Sequence, residues 1–62
     1  MEANALQNRF YEHVKSGSLK EAEEVAAALV ELMLLRRDLG QGVSDAQVAA
    51  WQARQSLLQL ML

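Results

Sequence analysis

The sequence predicts an all-α fold, an αα-hairpin of two longer helices preceded by a short N-terminal helix, as a single domain over residues 1–62. Three observations predict it. Apolar residues recur every three or four positions along most of the chain, which is the period of a helix face and not of a strand. Ser18-Leu19-Lys20-Glu21 and Ser44-Asp45-Ala46-Gln47 each place a serine three residues before Glu or Gln, the signature of a capping box at a helix start. Gly17, Gly40 and Gly42 fall where the periodic segments stop, and there is no proline to break the segments themselves.

The first helix is expected over about residues 3–15, where Ala3, Leu6, Phe10 and Val14 form one row. Lys15 suits its last turn, and Gly17 can take the left-handed conformation that ends a helix. Alone it would fray, because helices shorter than about 12–15 residues are marginal in water. The second helix, about 19–39, starts after the Ser18 box, with Glu21, Glu23 and Glu24 in its first turns and Arg36 and Arg37 in its last, both favourable to the helix dipole. The third, about 45–61, starts after the Ser44 box, with Val43 and Val48 placed to form a hydrophobic staple. Val48, Trp51, Leu58 and Leu62 make its main stripe, and Ala50, Leu57, Leu60 and Met61 widen it. The Gly40-Gln41-Gly42 connector is short enough to make the second and third helices antiparallel neighbours.

Composition excludes several function classes. With no cysteine and one histidine, neither a disulfide nor an ordinary zinc site is available, and a domain this small commonly gains its missing stability by association. Six basic against eight acidic residues, net −2, give no general attraction to nucleic acid or anionic lipid. The longest apolar run, Val25 to Val30, falls far short of the ~20 residues of a membrane span. Met1 to Arg9 has no basic segment followed by an apolar one, so no secretory signal is expected and the chain is read as cytoplasmic.

The second helix raises the functional question. Val25, Leu29, Val30, Leu32, Met33, Leu34, Leu35 and Leu39 spread over roughly 260° of its circumference, more than one neighbour can cover. Val25, Ala28, Leu32, Leu35 and Leu39 follow a strict three-four spacing, a seam that the third helix would fill through Val48, Trp51 and Leu58. Leu29 and Met33 lie beside that seam, within reach of either the first helix or a second chain. Val30 and Leu34 project from the far side. These four, with Leu57, Leu60 and Met61 near the C-terminus, are the expected partner-binding residues. Partner burial would recover about 1.5–3 kcal/mol for each large aliphatic. Two partners fit, another protein or a second copy packed helix two on helix two.

No reaction is announced. His13 has no ligand or nucleophile one turn away, and Glu21, Glu23 and Glu24 splay outward from a helix start, where a hard cation wants converging oxygens. There is no phosphate-binding glycine loop or nucleophile elbow, so neither catalysis nor a cofactor is expected. Gly42-Val43-Ser44 followed by Val48 and Trp51 resembles the turn and second helix of a helix-turn-helix. The likeness ends upstream, at Arg37, Asp38 and Gln41, and Arg54 would be the only cation on the reading helix.

A wider resemblance runs from Leu29 to Leu60. An apolar helix ending in Leu32, Leu35, Arg36, Arg37 and Asp38, a turn with Gly40 and Gly42, and a helix with Gln47, Trp51-Gln52 and late leucines are similar to the YscE-like co-chaperones of type III secretion systems. The resemblance covers about half the chain. It implies a cytoplasmic hairpin that pairs with a larger tetratricopeptide-type chaperone to keep the needle subunit soluble before export. Residues and resemblance converge on a helical adaptor, with a self-associating small bundle as the alternative.

Overall fold

The computed structural model describes residues 3–62; the side chain of Ala3, which the first apolar row includes, lies outside the described part. Three helices follow in order, α1 (Ala3–Lys15), α2 (Leu19–Asp38) and α3 (Asp45–Met61), and the described residues contain no strand. The fold is all-α, a short first helix followed by two longer ones. Leu39, read from the sequence as the last residue of the second helix, is its C-cap.

The two predicted glycine stops share one mechanism. At the end of α1, Gly17 has φ +79°, its N–H donates to the Val14 carbonyl at 3.2 Å, and the Ser18 N–H donates to the His13 carbonyl at 2.8 Å. At the end of α2, Gly40 has φ +71°, its N–H donates to the Arg37 carbonyl at 3.0 Å, and the Gln41 N–H donates to the Arg36 carbonyl at 2.9 Å. Both are Schellman motifs, which satisfy carbonyls that would otherwise end a helix unpaired.

The two predicted capping boxes behave differently. At Ser44 the box is complete: the Gln47 N–H donates to Ser44 Oγ at 3.2 Å, and the Ser44 N–H donates to Gln47 Oε1 at 3.0 Å. At Ser18 it is absent, because that residue also closes α1. Its N–H is already committed to His13, leaving Glu21 no donor to reach back to. Its backbone, φ −82° and ψ 68°, forms an inverse γ-turn in which the Leu19 N–H donates to the Gly17 carbonyl at 3.0 Å, and no side-chain cap bond forms. We therefore expect Ser44→Ala to cost about 1 kcal/mol and Ser18→Ala a few tenths at most, read as shifts in urea midpoint. Equal costs at the two serines would contradict this assignment.

The chain turns back on itself twice, so α1 and α3 both run antiparallel to α2. Bonds between α2 and α3 tie the second hairpin at both ends: Arg37 Nη1 donates to Asp45 Oδ1 at 3.0 Å beside the turn, and Gln59 Nε2 donates to Glu23 Oε1 at 3.0 Å at the open end. Exposed as they are, these bonds set register more than they add stability. The core draws on every helix: Leu6 and Phe10 from α1, Ala22, Ala26, Leu29, Val30 and Met33 from α2, and Val48, Trp51 and Leu58 from α3. Leu19, Val25, Leu32, Leu34 and Val43 pack half-buried against it. Ala22 and Ala26 are fully buried, and side chains that small let neighbouring helices approach α2 closely.

This core rotates α2 relative to the sequence-based expectation. The seam assigned to α3 was Val25, Ala28, Leu32, Leu35 and Leu39, but Leu35 and Leu39 are 57% and 62% exposed and Ala28 is exposed. The inward row is instead Ala22, Ala26, Leu29 and Met33, with Val30 beside it. The cause is that two helices cover α2. A seam chosen for one neighbour is the wrong solution when α1 also contributes Leu6 and Phe10.

Candidate protein-docking cleft

The bundle is open between α1 and α3. Each packs along α2, yet no Cα of α1 comes within 8 Å of one in α3. Neighbouring helices in a bundle lie about 8–10 Å apart axis to axis, close enough for such approaches. Only large side chains bridge the gap: the Phe10 ring meets Trp51 edge-on, with centroids 5.0 Å apart at 83°. Tyr11 flanks the pair, its centroid 6.2 Å from that of Trp51. α1 and α3 thus both pack along α2 and meet each other through side chains, without close backbone approach.

Toward the C-terminal ends of α1 and α3 no aromatic bridge fills the gap, and a cleft of about 330 Å³ opens there. Tyr11 and Val14 line it from α1, Arg54, Leu57 and Met61 from α3, and Phe10, Leu19 and Leu58 complete it. Arg54 is the one charged residue of the lining, and its guanidinium carbon lies 4.6 Å from the Trp51 ring centroid, a cation–π arrangement that holds it to one side. Among the described residues there is no cluster of three metal-ligating side chains and no buried side-chain polar atom without a partner. What this lining can do is remove apolar surface from water.

The expected partner-binding residues separate into two groups. Leu29, Val30 and Met33 are in the core, Leu29 with no exposure at all, and Leu34 is half-buried against it. The open face expected around Val30 and Leu34 therefore does not exist, because the rotation of α2 turns it inward. The apolar side chains that α2 leaves exposed are instead Ala28, Leu35 and Leu39. Leu57, Leu60 and Met61 are exposed, Leu60 to 86%. Of the expected hairpin residues, Val48, Trp51 and Leu58 are buried, Val25 and Leu32 are half-buried, and Leu35 and Leu39 face solvent. Leu62, placed on the main stripe of the third helix, is exposed, as is Val14, placed in the apolar row of the first.

The sequence reading missed the α1 wall of the cleft. Tyr11 stands one residue past Phe10, off the apolar row, so periodicity gave it no partner. A signal was available in Phe10-Tyr11, since adjacent side chains on a helix stand about 100° apart and a second aromatic there widens the apolar face beyond one row. Comparison with protein-family models, with curated proteins and with solved structures finds no match, and the site is read on its own geometry.

Proposed function

We propose that the chain is a non-enzymatic helical adaptor that receives a helix of a larger helical protein in the cleft between α1 and α3. The observation that carries this reading is the cleft itself, an apolar opening between two helices. An incoming helix with apolar residues at i, i+3, i+4 and i+7 would cover Tyr11, Val14, Leu57 and Met61 together. Each large side chain so buried contributes about 1.5–3 kcal/mol. The YscE-like resemblance extends the proposal to a cytoplasmic co-chaperone whose partner is a tetratricopeptide-type chaperone and whose cargo is a type III secretion needle subunit. In keeping with that, no described helix is long and apolar enough to cross a membrane.

The test is co-expression with a tetratricopeptide-type needle chaperone, followed by affinity measurement on the purified pair. Leu57→Glu is expected to weaken binding by about 100-fold or more, the effect of removing a central interface residue. Leu35→Glu, on the far side of α2, should leave binding unchanged. A complex indifferent to Leu57→Glu, or sensitive to both substitutions alike, would count against the cleft as its site.

A further inference from the structure

The cleft does not account for all the apolar surface of α3. Ala46, Ala50, Ala53, Leu57 and Leu60 follow a strict four-three-four-three spacing down the outward side of the helix, and all five are exposed. That is a second helix-packing seam, turned away from the core stripe of Val48, Trp51 and Leu58. Only Leu57 belongs to both the seam and the cleft.

We propose that this face binds a second copy of the chain, α3 against α3 in antiparallel orientation about a two-fold axis at Ala53. The order of residue sizes carries the argument. In antiparallel register, Ala53 meets Ala53 of the second copy, Ala46 meets its Leu60, and Leu57 meets its Ala49 and Ala50. Every leucine then faces an alanine, and the helices stay evenly spaced along the seam. In parallel register leucine would face leucine at one end and alanine face alanine at the other. The helices would splay, leaving voids between the alanines.

Charge supports the same occupant. Between Ala46 and Leu62 the only charged side chain is Arg54, and its guanidinium is held over its own Trp51, 4.6 Å from the ring centroid. One flank of the seam carries Ala49, Gln52 and Ser56, all uncharged, and the other Gln47, Arg54 and Met61. Such a surface asks for no counter-charge, and a two-fold contact needs a patch that complements itself. The proposal shares α3 with the adaptor reading but is centred on a different face. It gives the chain a way to cover Leu57 and Leu60 when no larger partner is bound.

The absence of native cysteine makes the test direct. Light scattering of the purified chain at micromolar concentration should give twice its 6.9 kDa mass, and Ala53→Glu should return it to the monomer with helical circular dichroism retained. Under mild oxidation Ala53→Cys should cross-link to itself in high yield. Ala46→Cys, equally exposed but about 21 Å from its counterpart at 1.5 Å rise per residue, should cross-link only when mixed with Leu60→Cys. A monomeric mass for the unmodified chain overturns the dimer, as does self-cross-linking of Ala46→Cys as efficient as that of Ala53→Cys. The adaptor reading fails separately, on the Leu57→Glu and Leu35→Glu comparison with the chaperone, and Ala53→Glu serves there as a monomer with the cleft intact.

Discussion

Leu29→Ala is expected to unfold much of the population at room temperature. Leu29 is the largest side chain with essentially no solvent exposure, at the middle of the helix whose backbone packs closely along both others. Truncating a buried leucine costs about 2–5 kcal/mol. A core of this size supplies about 3–5 kcal/mol in all. The loss is therefore comparable to the whole stability, and the variant should show a broadened urea transition with its midpoint close to zero denaturant. Leu35→Ala is the matched control, the same substitution on the same helix at a position 57% exposed. It should change stability by no more than about 0.5 kcal/mol. Reversal of that order would mean that α2 packs through the strict three-four seam of Val25 to Leu39.

Phe10→Ala should be nearly as severe, by a different route. Phe10 is buried and joins α1 to α3 through its edge-on contact with Trp51. Phenylalanine truncation costs about 3–5 kcal/mol, and an aromatic pair adds about 0.5–1.5 kcal/mol beyond its burial. With 13 residues and its anchor gone, α1 is too short to hold helical structure alone. The expected result is lower helicity together with a red shift of Trp51 emission as water reaches the indole. Unaltered Trp51 emission at full helicity would show that the two rings do not depend on each other. Tyr11→Ala, at the exposed side of the same cluster, should leave folding close to unchanged.

Helix number, order and ends were legible in the sequence, because they are set by local chemistry. Gly17 and Gly40 mark stops that only a left-handed residue makes cheaply, and both form that conformation. Ser44 and Gln47 supply both halves of a reciprocal bond. Ser18 shows the limit of such reasoning: its four-residue pattern matched the motif, but the preceding helix had already taken its N–H. The rotation of α2 was not legible for a related reason. Apolar residues on most of its circumference permit several inward faces, and the choice depends on how many neighbours pack on it and from which sides. Leu29 and Leu35 look alike in the sequence and have opposite fates in the fold. The same ambiguity governed the candidate site. Leu57, Leu60 and Met61 could be placed outside the core from α3 alone, whereas Tyr11 and Val14 become part of a surface only once α1 lies across from α3.

The packing of α2 against its two sequence neighbours, with no close backbone approach between α1 and α3, also bears on how the chain folds. Almost every stabilising contact lies within a single helical hairpin, so little loop-closure entropy stands in the way. Helical proteins with such local contacts fold in about microseconds to milliseconds. Either hairpin can form first, and the Phe10 to Trp51 contact, which joins α1 to α3, is completed when both are in place. The aromatic joint that closes the bundle is then a late event, and the order in which a ribosome releases α1, α2 and α3 suits a chain able to assemble as it emerges.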